Sequence, residues 1–470
     1  MQIAHILRKY EPAQWGGTET AVLRLIQGLQ THGVESAIHA PRHSQPFDRD
    51  PMSDSGIHVH PYHAFAPVIG ISSRQREELV SWGGNLFSFD LITHLLRDNA
   101  DVIHSHALNR LAGIGLRVAR WKKIPHVITL HGGALDVPSE VNTKLIAPLQ
   151  GGFEWGKALG AVVKSRQVLE LTDAIFTCNP REAELLQQKY PGQRIIVQPH
   201  SVPAAQYAVD HRAAALKAYP QIAGRDLIVT VARLDPAKNL PWLVRQLPEI
   251  KRRHPRAMLV LIGAGTTQHV VEDLNREIVR LGLQNDVLLT GGLPSGSPQL
   301  IGLIQHARVF ALSSTAEPFG IVILEAWAAG TPVVSSRTSG ASSLITHGET
   351  GLLFDLEKPN TFHLAIDAMF NDVMLHRDLC ANARARVLAD FDVPSIAARV
   401  AKVYGELREE ASRPVARLSN AGNAVSWFTK KTQRADARPK TLGSALESKA
   451  AKRASSQSNP ASEEVNYFTA

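Results

Sequence analysis

The sequence predicts an α/β protein of two domains, each built around a parallel sheet. Short apolar strands alternate with helical patterns from the start of the chain, which is typical of βαβ units. The chain has 470 residues, which is too long for one hydrophobic core and suits two domains of about 150–200 residues each. Its 44% apolar and 20% charged residues are the balance of an ordinary globular protein.

The first half contains a regular series of apolar runs that predict strands. They cover residues 3–7, 35–40, 57–62, 102–106, 126–130, 174–178 and 195–198. A helix is predicted over residues 20–30, and residues 158–171 are the most helical part of the segment that follows His131. The boundary between the domains is expected near residues 200–222.

The second half repeats the alternation and ends in a different kind of sequence. Strands are predicted at residues 227–231, 257–262, 287–289, 309–312 and 333–335, and helices at 361–369, 375–388 and 394–407. Beyond about residue 412 the composition is Ala, Ser, Lys and Arg with little apolar periodicity, so we expect a disordered tail.

The net charge of +8 belongs mainly to this tail. Residues 413–470 contain ten Lys or Arg and four acidic residues, so the rest of the chain is close to neutral and nucleic acid is not an expected partner. Trp427 and Phe428 lie beside Lys430 and Lys431, a pattern that fits either peripheral membrane contact or a solvated tail.

Two features bear on the compartment. No apolar run approaches the ~18–20 residues that cross a bilayer, and the first apolar run is too short for a signal peptide. Cys178 and Cys380 fall in different predicted domains, which favours a reducing environment. We expect a cytoplasmic protein, with the inner membrane face as a site of peripheral association.

The stretch from Ser313 to Pro332 offers an anion site. A predicted strand leads through Glu317-Pro318-Phe319-Gly320 into an apolar helix, and a helix N-terminus presents free N–H groups to an anion. Glu325 lies about five residues into this helix, roughly 7–8 Å along its axis. Glu317 and Glu325 suit the two ends of an extended ligand such as a nucleotide sugar, or alternatively are ordinary helix residues.

A second stretch adds positive charge. The strand at residues 227–231 leads to Arg233, and Lys238 is expected at the start of the next helix. A planar guanidinium and an ammonium beside a helix N-terminus suit a diphosphate. The alternative is a solvated loop between strand and helix.

These motifs resemble a known family over about residues 1–410. Glu317-x7-Glu325, the Arg233–Asn239 run and the Gly16-Gly17-Thr18-Glu19 loop are similar to those of the family-four retaining glycosyltransferases of GT-B architecture. The resemblance implies two Rossmann-like domains facing each other across a cleft, with a C-terminal helix that crosses back to the N-terminal domain. It predicts an acceptor-side domain at 1–205, a nucleotide-sugar domain at 206–393, the crossover helix at 394–412 and the basic tail at 413–470.

The resemblance also implies an activity, namely sugar transfer from a nucleoside-diphosphate sugar to an acceptor hydroxyl with retention of configuration. Arg233, Lys238 and the backbone amides of Gly320 and Ile321 would stabilise the departing diphosphate. Glu317 would bind the sugar hydroxyls and Glu325 the ribose. The acceptor would be a glycan, a glycolipid or a small molecule, in polysaccharide or glycolipid biosynthesis.

Further residues complete the site by the same resemblance. Phe319 and Val322 would shape the sugar pocket, and Gly263 would line the nucleotide side. Gly17 and His131, from the first domain, would close over the donor. We expect no metal and no cofactor, because cations and a helix end neutralise the diphosphate.

One departure from the family lies at Ser339-Gly340-Ala341-Ser342-Ser343. Relatives often carry Gly-Gly at this point before a helix with an acid. The difference affects contacts near the donor sugar or diphosphate, though not the enzyme class.

Other patterns keep alternatives open. Asp48-Arg49-Asp50 has the form of a metal motif but lies in a loop rich in Pro and Ser. His104 and His106 would face one side of a strand, as a metal pair or as packed residues. Gly263-Ala264-Gly265 lacks the third glycine of a dinucleotide fingerprint. An epimerase, a phosphorylase or a non-catalytic nucleotide-sugar binder would share the architecture.

Overall fold

The structure is a computed structural model that describes residues 1–11, 15–42, 50–73, 75–76, 79, 84–132, 152–265 and 268–413. Asp48 and Arg49 of the metal-like motif lie outside the described residues, as does the basic tail from residue 414 onward.

The first domain is organised by a seven-stranded parallel sheet. Its strands follow the order β3-β2-β1-β5-β6-β8-β9, and a separate antiparallel pair is formed by β4 and β7. The strands are β1 Gln2–Leu7, β2 Glu35–Pro41, β3 His58–Tyr62, β4 Val68–Ile69, β5 Val102–His106, β6 His126–Leu130, β7 Phe153–Glu154, β8 Ala174–Thr177 and β9 Ile195–Val197.

The second domain repeats this arrangement with a six-stranded parallel sheet in the order β12-β11-β10-β13-β14-β15. Its strands are β10 Asp226–Val231, β11 Ala257–Ile262, β12 Val287–Gly291, β13 Ala307–Leu312, β14 Val333–Ser336 and β15 Leu352–Phe354. Every predicted strand lies within one or two residues of an observed one, since each carries a run of apolar side chains that the helices on both faces cover.

Helices connect the strands and cover both sheets. They are α1 Gly17–Gln30, α2 Pro51–Asp54, α3 Phe89–Arg97, α4 Asn109–Lys122, α5 Lys157–Val162, α6 Val168–Leu171, α7 Pro180–Lys189, α8 Ala204–Ala208, α9 Arg212–Ala218, α10 Leu240–Arg253, α11 Gln268–Arg280, α12 Pro298–His306, α13 Ile321–Ala328, α14 Ser339–Leu344, α15 Pro359–Asn371, α16 Val373–Arg386 and α17 Val393–Ser412.

Two predicted helices differ from the structure. The helical character predicted over residues 158–171 appears as two short helices, because Lys164 takes a left-handed conformation (φ 55°) and separates α5 from α6. Lys238 does not begin a helix. It ends the 3₁₀ turn Pro236–Lys238, and α10 follows after Asn239, which is also left-handed (φ 52°).

The C-terminal helix α17 packs on the first domain, as predicted. Its Val400, Tyr404 and Leu407 belong to the same buried cluster as Ile3 and Phe176 of the first sheet. Close approach of α17 to α1 depends on a glycine in α1. A Cβ on Gly28 would lie 2.7 Å from the Cβ of Ala397, so a larger residue there would push the two helices apart.

Within the described residues, no helix combines the length and the apolar character needed to span a membrane.

Candidate active site

The charged side chains of the second domain lie in the loops after β10 and β13. These strands are neighbours where the strand order of the sheet reverses, which is the point at which open α/β sheets bind ligands. Lys238, after β10, forms an ion pair with Glu317, after β13, with Nζ 2.7 Å from Oε2. Arg233 is 61% exposed and forms a long ion pair, 3.5 Å, with Asp235.

The helix that follows Glu317 is preceded by Gly320, whose backbone conformation favours glycine. Gly320 has φ 96°, a left-handed conformation that costs a residue with a Cβ about 1–2 kcal/mol. This conformation turns the chain into α13, so that the first N–H groups of α13 are left without partners in the helix. Lys238, Glu317 and the start of α13 thus lie at one end of the second sheet.

Helix α14 packs against the loop that carries Glu317. Thr338 caps α14, and the backbone N–H of Gly340 donates to the carbonyl of Glu317 at 2.8 Å. A Cβ on Gly340 would lie 2.5 Å from that carbonyl oxygen and from the backbone nitrogen of Phe319. The stretch that departs from the family therefore packs against the loop that carries Glu317.

Gly263 has a packing role at the neighbouring strand end. Its Cα lies so close to the loop after β10 that a Cβ would be 1.8 Å from the carbonyl oxygen of Ala232, the residue before Arg233. The predicted contact of Gly263 with the nucleotide is untested, while its effect on the position of Arg233 follows from the packing.

The first domain contacts this loop directly. Gly17 lies opposite α13, where a Cβ on it would be 3.8 Å from the Cδ1 of Ile321. Gly132 (φ 96°) lies against Pro318, and a Cβ on it would be 2.1 Å from the Cβ of Pro318. The side-chain amide of Asn179 donates to the carbonyl of Pro318 at 2.7 Å.

The first domain also adds cations near Arg233. Arg8 and Lys9 follow β1, and the pKa of each is lowered, first by loss of surrounding water and also by the charge of Arg233. The buried Glu19 acts in the opposite direction on both. Glu11 also acts in the opposite direction on Lys9, and Asp235 contacts Arg233, so three carboxylates accompany the three cations at this end of the cleft.

His131 follows β6 and reaches the second domain through a neighbouring histidine. Its ring stacks on His200 with a centroid distance of 5.1 Å, and His200 meets the edge of Phe319 at 4.9 Å. Phe319 is only 3% exposed, and its predicted contact with the sugar stays a prediction. Val322 is half-buried in the first turn of α13.

Glu325, the expected ribose ligand, is paired with the first domain. It is 4% exposed, and its Oε1 accepts from Nη2 of Arg24, in α1, at 2.6 Å. Arg24 also donates to the Ser201 carbonyl at 3.2 Å, and its guanidinium lies 3.4 Å from the Tyr207 hydroxyl. A ribose would reach Glu325 only by exchange with Arg24, and the ribose contact stays a prediction.

Two other patterns have clear structural roles. The carboxylate of Asp50 caps α2, accepting from the backbone of Met52 at 3.0 Å. His104 and His106 both lie buried, with ring centroids 4.1 Å apart. His104 bonds to Tyr404 of α17 and to Thr129 at 2.6 Å, which is the packing expected of a buried strand end.

Several residues of this region were missed by the sequence reasoning. In the sequence, Arg24 looks like a surface arginine on an amphipathic helix. Only the structure shows that its side chain is buried. His200 follows β9 and Asn179 follows β8. Ligands bind at the carboxyl ends of the strands in open α/β sheets, so these positions could have identified both residues as site candidates. Arg8 and Lys9 follow β1 in the same way.

Comparisons with known proteins find relatives of both domains. Residues 16–201 match the glycosyl transferase 4-like domain, and residues 214–386 match the glycosyl transferases group 1 family. An uncharacterised glycosyltransferase of Methanocaldococcus jannaschii is 33% identical over 178 residues, which is 38% of this chain and 44% of that protein. The matched segment thus spans less than half of that relative.

Longer matches exist at lower identity. D-inositol 3-phosphate glycosyltransferase of Corynebacterium diphtheriae is 26% identical over 411 residues, covering 83% of this chain and 90% of that protein. The crystal structure of Anabaena HepE with UDP and glucose superposes with a TM-score of 0.66 at 18% identity, covering 86% of this chain and all of that one. The chain thus carries a glycosyl transferase 4-like domain match in its first half and a glycosyl transferases group 1 match in its second half, and it shares the two-domain GT-B fold.

Proposed function

We propose that the protein transfers a glycosyl unit from a nucleoside-diphosphate sugar to an acceptor hydroxyl, with retention of configuration at the anomeric carbon. The observation that carries the proposal is the cluster at the start of α13. There Lys238 and Glu317 form an ion pair at the start of α13, whose N-cap Gly320 makes no side-chain cap hydrogen bond in the described residues, and the exposed Arg233 lies in the same loop as Lys238. A diphosphate matches this combination of cations and N–H donors.

The chemistry follows from where charge develops. When the bond from the anomeric carbon to the diphosphate breaks, negative charge grows on the leaving phosphate. Lys238, Arg233 and the amides of Gly320 and Ile321 are suited to stabilise that charge. The new glycosidic bond forms to the acceptor oxygen, and the leaving phosphate takes the acceptor proton. Glu317 then holds Lys238 in place and binds sugar hydroxyls.

The donor and acceptor are proposed by class. The HepE structure holds UDP and glucose, which supports a nucleotide sugar as donor. We propose a hydroxyl of a glycan, a glycolipid or a small molecule as acceptor, and a cytoplasmic enzyme whose basic tail contacts the inner membrane face.

The first test is a thermal-shift screen with UDP-, GDP- and ADP-sugars. A ligand at 100 times its dissociation constant adds about 2.7 kcal/mol of stability, so the true donor should raise the melting temperature. Acceptor-dependent release of nucleoside diphosphate then identifies transfer, and NMR of the product reports the anomeric configuration. Binding without turnover would point to a non-catalytic binder, and release that needs no acceptor would point to an epimerase or hydrolase.

Variants locate the chemistry. Lys238→Ala and Arg233→Ala should each lower kcat by about 10²–10³-fold, the cost of removing one donor to a developing anion, without unfolding the protein. Arg256→Ala is the matched control. Arg256 also pairs with an aspartate, Asp226, at 3.0 Å and is 70% exposed, but Asp226 begins β10 at the opposite end of the sheet. Full activity in both site variants would contradict the proposed site.

A further inference from the structure

Three histidines form a continuous hydrogen-bonded row through the first sheet. His5 is in β1, His106 ends β5 and His131 follows β6, and these three strands are neighbours. His5 Nδ1 lies 3.0 Å from His106 Nε2, and His106 Nδ1 lies 2.9 Å from His131 Nε2. Beyond His5, its Nε2 lies 3.3 Å from the Ser36 hydroxyl.

The other end of the row is open. His131 Nδ1 is buried and has no hydrogen-bond partner in the part of the chain that the structure describes. A buried unpaired nitrogen costs about 1–3 kcal/mol. His131 and His106 line a small cavity of about 30 Å³ together with His200, among residues of the first domain and α17. The His131 ring stacks on His200, and His200 in turn contacts Phe319 of the second domain. The row therefore ends where the two domains meet.

All three imidazoles are neutral in this environment. Burial lowers the pKa of His5 to about 3, with a further contribution from His39. Burial also places the pKa values of His106 and His131 well below the ordinary histidine value, and neighbouring histidines lower them further. A neutral imidazole has one N–H and one bare nitrogen.

With three neutral rings, the His5–His106 and His106–His131 hydrogen bonds can both form in only two arrangements of the protons. In one arrangement, His131 donates from Nε2 to His106, His106 donates from Nε2 to His5, and His5 donates to Ser36. His131 Nδ1 is then a bare acceptor. In the other, Ser36 donates to His5, His5 to His106, and His106 to His131, so that Nδ1 of His131 carries the proton.

We propose that His5, His106 and His131 form a tautomer relay. His5 and His106 are positioning residues, because their tautomers determine whether His131 Nδ1 carries a proton. The proposal rests on the proposed function, because the matching ligand is a sugar or acceptor hydroxyl, which can donate or accept. For each proton that His131 Nδ1 takes up, one passes from His131 Nε2 to His106, one from His106 to His5 and one from His5 to the Ser36 oxygen. Ser36 is partly exposed, and its own hydroxyl proton passes to solvent water, which closes the proton balance.

His104 provides a matched control for the relay. It is in the same strand as His106, is equally buried, and its ring lies 4.1 Å from that of His106. Its two nitrogens bond instead to Tyr404 and Thr129, so it is outside the row. His104→Gln and His106→Gln each remove one buried imidazole ring from the same strand. Only His106→Gln removes a ring that is hydrogen-bonded to both His5 and His131.

The test reads the tautomer directly in the full-length protein. The protein is labelled with ¹⁵N-histidine, and the His131 ring signals are assigned by their loss in His131→Gln. His106→Gln should change the ring ¹⁵N shifts of His131, while His104→Gln should leave them as in the parent protein. This measurement needs no donor sugar, so its result is independent of whether the proposed transfer activity exists.

Activity gives a second readout once a donor is known. His106→Gln should lower kcat by about 10- to 100-fold, the typical cost of losing the partner that orients a functional histidine, and His104→Gln should not. If circular dichroism shows that His106→Gln is unfolded, His5→Gln cuts the next link and takes its place. Unchanged His131 signals in the row variants, or equal changes in His104→Gln, would overturn the relay.

Metal binding by the buried histidines would be a different result of these experiments. His5, His104 and His106 each offer a ligand atom, all within 4.8 Å of one another, although their nitrogens already have protein partners. Stoichiometric zinc in the purified protein, lost in both His104→Gln and His106→Gln, would show a metal site and would also overturn the relay.

Discussion

Burial controls the chemistry of the histidines in the first domain. His126 is fully buried in β6, with hydrogen bonds to the hydroxyls of Ser105 at 2.9 Å and Thr172 at 3.0 Å. Burial, with the charge of Arg120, lowers the pKa of His126 to about 3. His200 shows the same effect, with its pKa lowered to about 4 by burial and by Arg24. Such residues stay neutral in the fold.

This lowered pKa predicts acid sensitivity. Below the unfolded-state pKa of about 6.5 the unfolded chain binds a proton at His126 and the folded chain does not, so stability falls as pH decreases toward 3. His126→Gln removes this dependence. The difference in free energy of unfolding between parent and variant, from urea denaturation, should shrink by about 2 kcal/mol between pH 7.5 and pH 5.

A difference between parent and His126→Gln that does not change with pH would contradict the lowered pKa.

Residue types at the site could be predicted, but their partners could not. Arg233, Lys238 and Glu317 were identified from their places after apolar strands. The pairing of Lys238 with Glu317 joins loops 79 residues apart in sequence, and no local pattern specifies it. The same holds for Arg24 and Glu325, which are 301 residues apart.

At the scale of elements, the position of the Glu317 loop depends on α14. The helix is capped by Thr338 and presents Gly340 to the loop, where a hydrogen bond of 2.8 Å joins its N–H to the Glu317 carbonyl. No side chain fits between α14 and the loop. A helix that differs in sequence from the family pattern thus fixes the backbone of a central site residue.

Gly340→Ala tests this packing. The added Cβ would lie 2.5 Å from backbone atoms of Glu317 and Phe319, so the loop must move. We expect a loss of about 1–3 kcal/mol in stability, as for other overpacked sites, and weaker binding of the donor sugar by calorimetry.

Gly405→Ala is the control for Gly340→Ala. Gly405 is also within a helix, α17, but nothing lies within 4 Å of the position of its Cβ. There, alanine should be neutral or stabilise by about 0.5–1 kcal/mol. Equal effects of the two substitutions would show that α14 does not hold the loop.

At the scale of the whole molecule, buried contacts join the two domains. Helix α17 completes a core of the first domain, and its N-cap Asp392 accepts from the backbone of Ala204 at 3.1 Å. Arg24 and Glu325 form a buried ion pair between α1 and α13. Breaking such a pair leaves a charge buried without a partner, which typically costs 3–5 kcal/mol.

Arg24→Met therefore should lower the free energy of unfolding by about 3–5 kcal/mol. Replacing both partners, as Arg24→Met with Glu325→Leu, removes the stranded charge and should recover most of that loss. Urea denaturation of the two single variants and the double variant measures the coupling. Additive losses would show that the pair does not join the domains.

The sequence alone determined the fold class and the strand positions and suggested the residue types of the candidate site, because apolar periodicity and positions after strand ends are local properties. The break between α5 and α6 was not predicted, since it depends on the left-handed Lys164. Only the tertiary structure decided which distant groups meet. The row from His5 to His131, the pairing of Arg24 with Glu325 and the contact of Gly340 with the Glu317 loop each join separate strands or helices, and their distances depend on how the sheets and domains pack.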